Sequence, residues 1–176
     1  ISELHIGLKG TMNALFLKDL ADKTRRGLAG RIKAGRSGGG KAFGYDIPVK
    51  LNELGERITG DMVINKSEAA TVIRIFMLYA SGISPRAIAH TLNGEGIKGP
   101  NGKAWGPSTI NGNRKRGTGI LNNELYIGRR IWNRLTYVKD PTTGKRVSRL
   151  NPQQDWLAQD VPELRIVSDE LWQAVR

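Results

Sequence analysis

The chain has 176 residues and a mass of 19.4 kDa, which suits one modest domain or one domain with an appended element. Its 39% hydrophobic content is enough to bury a core, and its lack of cysteine excludes disulfides, thiol catalysis and cysteine-bound zinc. Lysine and arginine number 28 against 16 acids, a formal charge of +12, so the expected partner is a polyanion, with nucleic acid the leading candidate. The two histidines, His5 and His90, are isolated and build no metal site, and no cofactor is expected. No apolar run approaches the roughly 20 residues that span a bilayer, so no membrane partner is expected either. The chain starts at Ile1 without a leader and reads as a piece of a longer protein.

Residues 11–35 read as one long helix. Leu8, Met12, Leu15, Phe16 and Leu20 recur at three- and four-residue spacing, and Leu28 and Ile32 extend the stripe. Its first half is apolar and its second half basic, so the apolar half must pack on a further domain or a second subunit. A glycine run, Gly35 to Lys41, follows. It lacks the lysine-serine or lysine-threonine pair of a nucleotide loop. Two readings remain for it, a flexible linker or an extended arm in a DNA minor groove, where Arg36 and Lys41 would meet the negative potential.

Residues 43–49 and 62–64 read as short strands around a turn marked by Asn52, Gly55 and Gly60. Lys66 to Ser81 reads as a helix with Val72, Ile73, Phe76 and Ala80 on one face, closed by Gly82. Ser84 and Pro85 open a second helix that buries Ile88, Ala89 and Leu92 and stops at Asn93-Gly94. Trp105 is expected to pack on this pair. Pro107 starts a third helix bearing Ser108, Thr109, Asn111, Asn113, Arg114, Lys115 and Arg116, groups that read base edges and phosphates. Tyr126 to Val138 alternates like a strand, Asp140 to Lys145 turns, and Arg146 to Leu150 returns. Trp156 and Leu157 extend the small sheet, and Ser168 caps a last helix. The fold expected is α+β: a long N-terminal helix, then a winged helix-turn-helix-like domain with small antiparallel β-hairpins.

The charge is segregated. Between Lys23 and Tyr45 stand seven cations and no acid, and from Lys98 to Arg149 twelve cations face only Glu124 and Asp140. From Asn151 onward five acids outnumber Arg165 and Arg176. Acid pairs such as Asp19 with Asp22 lie at spacings typical of solvated surface, so carboxylate catalysis is set aside.

A set of ordered motifs carries a resemblance. They are Lys23-Thr24-Arg25-Arg26-Gly27-Leu28, Phe43-Gly44-Tyr45, the run from Ala69 to Gly82, and Ser84-Pro85-Arg86-Ala87-Ile88-Ala89. Then come Leu92-Asn93 with Gly96-Ile97, Trp105-Gly106-Pro107-Ser108-Thr109-Ile110, Asn123-Glu124-Leu125-Tyr126-Ile127-Gly128 and Trp132-Asn133-Arg134. In order and spacing the chain resembles the DNA-binding half of the serine site-specific recombinases, the large ones especially. The resemblance implies a connecting helix over 1–36, a glycine-rich linker or minor-groove arm over 37–42, and a recombinase DNA-binding domain over 43–176. It implies double-stranded DNA as partner, self-association through the long helix as dimer or tetramer, and a place in the bacterial cytoplasm on the nucleoid. The DNA contacts expected are Arg25, Arg26, Arg31, Lys33, Arg36, Ser37, Lys41, Ser108, Thr109, Asn111, Asn113, Arg114, Lys115, Arg116, Arg129 and Arg130.

Three departures from the family pattern stand out. None of the eight serines sits in the setting of the family's nucleophile, so no catalytic residue is assigned and the fragment alone is expected to leave DNA uncut. The zinc-ribbon domain is missing. Nine residues, 111–119, separate Ile110 from Ile120 where the family has a shorter connection, and helix and loop both remain open for them. A winged-helix transcriptional regulator with an N-terminal dimerisation helix is the alternative reading. A basic RNA-associated protein is a third, although the aromatic residues offer no stacking platform for single strands.

Overall fold

A computed structural model describes residues 3–176. Helix α1 spans Glu3–Lys33, starting earlier than the apolar periodicity implies. Its stripe of Ile6, Leu8, Met12, Leu15, Phe16, Leu17 and Leu20 is at least half exposed, while Ile32 near its end is buried. The helix closes with Gly35 N–H donating to the Ile32 carbonyl and Arg36 N–H to that of Arg31. Only the last turns of α1 are therefore built into the body.

Strand β1 (Tyr45–Asp46) pairs antiparallel with β4 (Val63–Ile64). Between them lies a second ribbon, β2 (Lys50–Leu51) with β3 (Arg57–Ile58), where the sequence marks only a turn. Asn52 makes that ribbon turn tightly, its side-chain oxygen accepting from Leu54 N–H and Glu56 N–H.

Helix α2 (Lys66–Ala80) is capped by Asn65, whose side chain accepts from Glu68 N–H. Val72 and Phe76 are buried as their spacing implies. Ala69 and Ile75 complete the face, however, whereas Ile73 is half-buried and Ala80 exposed. Helix α3 (Pro85–Gly94) has Ser84 as N-cap and buries Ile88, Ala89 and Leu92. Trp105 is buried with its ring edge-on to Phe43, and its backbone exchanges two hydrogen bonds with the Asn93 side chain. Helix α4 (Pro107–Asn111) is only five residues long.

The alternating stretch 126–138 is not one strand. Residues Glu124–Ile127 form a short 3-10 turn, β5 covers Arg129–Trp132, and β6 covers Leu135–Lys139. The break is Asn133, in the left-handed region at φ 62. Its side-chain amide donates to the Asp155 carbonyl, and its own carbonyl accepts from Asn151. Strand β7 (Arg146–Leu150) returns on β6, while β8 (Leu157–Asp160) pairs with β5 and not with that hairpin. Helix α5 (Asp169–Ala174) starts at Ser168, as its sequence implies.

The fold is thus α+β, with the long N-terminal helix and small antiparallel ribbons expected. Its core gathers Val72, Ile75, Phe76, Ile88, Leu92 and Ile110 around Tyr45, Tyr126 and Trp172. Phe76 has no exposed surface; it stacks on Trp172 at 5.7 Å and meets Tyr126 edge-on. Replacing Phe76 by Ala is expected to lower the unfolding free energy by about 3–5 kcal/mol in urea titrations followed by tryptophan fluorescence. A neutral outcome would show that the ring is not central to the core.

Candidate nucleic-acid interface

The cations of the second half of α1 differ in their partners, and Lys23 pairs with Asp19 at 2.7 Å. Arg25, Arg26 and Lys33 are exposed and make no ion pair or side-chain hydrogen bond among the described residues. Arg31 instead donates to the Thr59 hydroxyl at 2.8 Å. The segment 37–42 lies back on the body. Ser37 N–H donates to the Gly60 carbonyl at 2.7 Å, and Gly38 packs between Ile32 and Trp132. Arg36 faces Asp61 at 3.9 Å, and Lys41 meets Asp46 at 2.9 Å and Glu68 at 3.5 Å. Both arm cations therefore have carboxylate partners.

Arg130 stands apart from the contacts expected of it. It is 7% exposed, donates to the Gly35 carbonyl at 2.8 Å, and lies against the Met62 sulfur. A guanidinium at the carbonyl end of α1 satisfies an orphan acceptor and offsets the negative end of the helix dipole. Burial lowers its proton affinity. Arg130 is thus engaged inside the fold, at the end of α1. Its neighbour Arg129 is exposed and faces Glu124 at 3.5 Å.

Residues 113–118 form a closed turn, so of the stretch 111–119 only Asn111, the last residue of α4, is helical and the rest is a loop. Asn113 and Thr118 exchange backbone hydrogen bonds at 3.1 and 3.2 Å. Gly112, at φ 53, permits the crossing: a Cβ there would fall 1.9 Å from the Thr118 carbonyl oxygen. Buried Asn122 ties both feet, donating to the carbonyls of Asn111 and Thr118 at 2.6 and 2.8 Å. From this turn Arg116 reaches Ser148 on β7 at 2.7 Å and Arg114 reaches the Arg176 carbonyl at 3.1 Å. Lys115, at the tip, is exposed and makes no such contact among the described residues.

Ser108 on α4 is exposed and Thr109 half-buried; both line a groove with Ala42, Phe43 and Thr118, so the arm and α4 share one surface. A second groove, of about 800 Å³, runs between α1 and the β6–β7 hairpin. Arg25 lines one wall and Arg146 the other, with Trp132, Leu135 and Tyr137 between them. The Arg146 guanidinium lies 4.5 Å from the Tyr137 ring centre. The two basic regions, far apart in sequence, thus meet across this groove. Neither the placement of Arg146 on this groove nor the tie made by Asn122 was anticipated from the sequence, although the density of cations on the returning strand was a signal for the first.

The model of the recombinase family matches residues 66–176. The chain belongs to the recombinase family. Comparisons with curated proteins and with solved structures give no match. In this recombinase chain the matched region begins at the first residue of α2 and takes in α3, α4, the 113–118 turn, both later ribbons and α5. Family membership points to site-specific recombination and implies an interaction with DNA. Among the described residues no helix is long and apolar enough to cross a membrane, and no group of three or more His, Cys, Asp or Glu could hold a metal ion.

The arm's anchor has a defined charge state. The Lys41 hydrogen bond holds the Asp46 carboxyl below its ordinary 3.8, helped by Asn65, and the Asp46 hydrogen bond raises Lys41 above 10.5. The aspartate contribution is present above its unfolded value and lost as pH falls through the folded one. The lysine contribution is present below its unfolded value and lost as pH rises through the folded one. The contact is therefore intact across neutral pH. In NMR titrations the backbone amides of Lys41 and Ala42 are expected to shift with a midpoint below 3.8, and Lys41→Met should move the Asp46 midpoint up toward that value. An unmoved midpoint would dissociate Lys41 from Asp46.

Proposed function

We propose that the chain is the sequence-specific, double-stranded DNA-binding part of a serine site-specific recombinase, acting with a serine nucleophile carried elsewhere in the parent. The observation that carries this reading is the groove that Arg25 of α1 and Arg146 of β7 both line, beside apolar residues such as Leu20, Trp132 and Leu135, with Arg116 docked on the same hairpin at Ser148. A polyanion placed there relieves the repulsion between two cationic regions at once. Arg25, Arg26 and Lys33 would meet phosphates along the helix, and Arg114, Lys115, Arg116, Arg146 and Arg149 phosphates beyond the groove. Ser108, Thr109, Asn111 and Asn113 would contribute neutral hydrogen-bonding groups. The α2–α3–α4 helices with the β6–β7 ribbon act in this reading as a winged helix-turn-helix. The arm residues Arg36, Ser37 and Lys41 would reach the minor groove after exchanging their carboxylate partners for phosphate.

The exposed apolar stripe from Ile6 to Leu20 supports self-association through α1. Six of the seven described serines are engaged by side-chain hydrogen bonds within the chain. Ser84 and Ser168 cap helices, Ser67 and Ser81 bond to neighbouring chain atoms, Ser37 bonds to Gly39, and Ser148 accepts from Arg116. The site of action in this reading is the bacterial cytoplasm, on the nucleoid.

Binding to a fluorescent random-sequence duplex, followed by anisotropy, is expected to weaken with a log–log salt slope of about −5 to −7, as six to eight neutralised phosphates require. Replacing Arg114, Lys115 and Arg116 together by Ala should make that slope shallower by about 3 while thermal unfolding is unchanged. A wild-type slope shallower than about −2, with no preferred site emerging from selection on a random pool, would overturn the reading.

A further inference from the structure

We propose that Arg134 is a positioning residue for DNA recognition, holding the 113–118 turn and its three cations at a set place against the β6–β7 hairpin. The proposal rests on the DNA-binding reading above and assigns Arg134 no contact with DNA of its own. The side chain of Arg134 is 13% exposed. Its Nη2 donates to Glu124 at 2.6 Å, and its guanidinium lies 4.6 Å from the centre of the Trp156 ring. Against it sits Gly117: a Cβ there would fall 1.4 Å from Nη1, and φ is +63. Only a residue without a side chain lets the turn rest on the guanidinium.

The environment is a poor one for a charge kept for stability alone. Among the described residues Glu124 is the single carboxylate in ion-pair reach of Arg134, it is shared with Arg129, and the buried Nε of Arg134 has no hydrogen-bond partner. A buried, incompletely bonded guanidinium costs more than an apolar group of similar volume. What the arginine supplies is a flat, stiff spacer, with one face toward an aromatic ring and hydrogen-bonding edges fixed in one plane. The backbone places this spacer where the two cationic elements meet. The Arg134 carbonyl accepts from Asn151 N–H at 2.9 Å at the base of the hairpin, and Arg116 closes the other side on Ser148.

A double-mutant cycle separates this role from its competitors. Affinity of the full chain for a random-sequence duplex is measured for wild type, Arg134→Met, the triple alanine variant of Arg114, Lys115 and Arg116, and their combination, with melting curves for each. Arg134→Met is expected to weaken binding about 10-fold in the wild-type background and less than about 2-fold in the triple variant. Arg134→Lys, which keeps the charge and loses the plane, should bind as weakly as Arg134→Met.

Equal losses in both backgrounds, or rescue by lysine, would make Arg134 a direct phosphate contact and overturn the proposal. A lower melting temperature with unchanged affinity would reduce it to a packing role and overturn it equally. A triple variant that binds like wild type would remove the DNA assignment of the turn, and that result is read independently of Arg134. Should Arg134→Met fail to fold, Trp156→Leu, which removes the ring beneath the guanidinium, completes the same cycle.

Discussion

Tyr126 is the residue on which the fold converges. Its hydroxyl donates to the Phe43 carbonyl, its ring meets Phe76 edge-on and stacks on Tyr45, and its own carbonyl accepts from Ile166 and Val167. Tyr45 answers with a hydroxyl bonded to the carbonyls of Leu125 and Leu164. Burial raises the proton affinity of both phenols, so they stay neutral and keep the proton that the donation requires. Three stretches far apart in sequence are thereby bonded to a single buried pair. The pair ties the first ribbon to the segment 164–167, while α2 is joined to that ribbon separately, by Gly44 N–H on Glu68 and Asn65 N–H on the Gly44 carbonyl.

On that frame the charge is arranged in tiers. Some cations have partners within the chain: buried Arg130 on the end of α1, Arg134 on Glu124, and exposed Lys41 on Asp46 and Glu68. Others, among them Arg25, Arg26, Lys33 and Lys115, make no ion pair among the described residues. Exposed pairs such as those of Lys41 contribute little to stability. A net charge of +12 left largely unneutralised is tolerable only because the aliphatic and aromatic core offsets the repulsion.

How much of this was legible beforehand depends on the kind of signal. Caps and short apolar faces read well: Ser84-Pro85 with Ile88, Ala89 and Leu92 needed nothing but local chemistry. The phase of α2 was harder, because Ile73 and Ile75 are equally apolar and the elements packed on α2, α3 and α5 among them, decide which is buried. The stretch 126–138 alternates convincingly across Asn133, and the break depends on Asp155 and Asn151, partners distant in sequence. Basic residues were counted correctly but not sorted, since Arg129 and Arg130 are neighbours in sequence and opposite in burial. Alternation along a strand separates such a pair only when the face that turns inward is known. Likewise Asn122 reads as one more loop asparagine until the feet of the turn are seen to meet it.

The length of α1 has a mechanical consequence. At 1.5 Å per residue its 31 residues extend about 46 Å, yet only its final turns, near Ile32, are embedded. The remainder behaves as a lever with its pivot beside β5 and β8. A tilt of about 5° at Ile32 carries Ile6, about 39 Å away along the axis, through roughly 3 Å. Whatever rides on Leu8 to Phe16 therefore receives a magnified copy of any small adjustment at the pivot, where Arg130 and the arm anchored by Lys41 are its nearest controls.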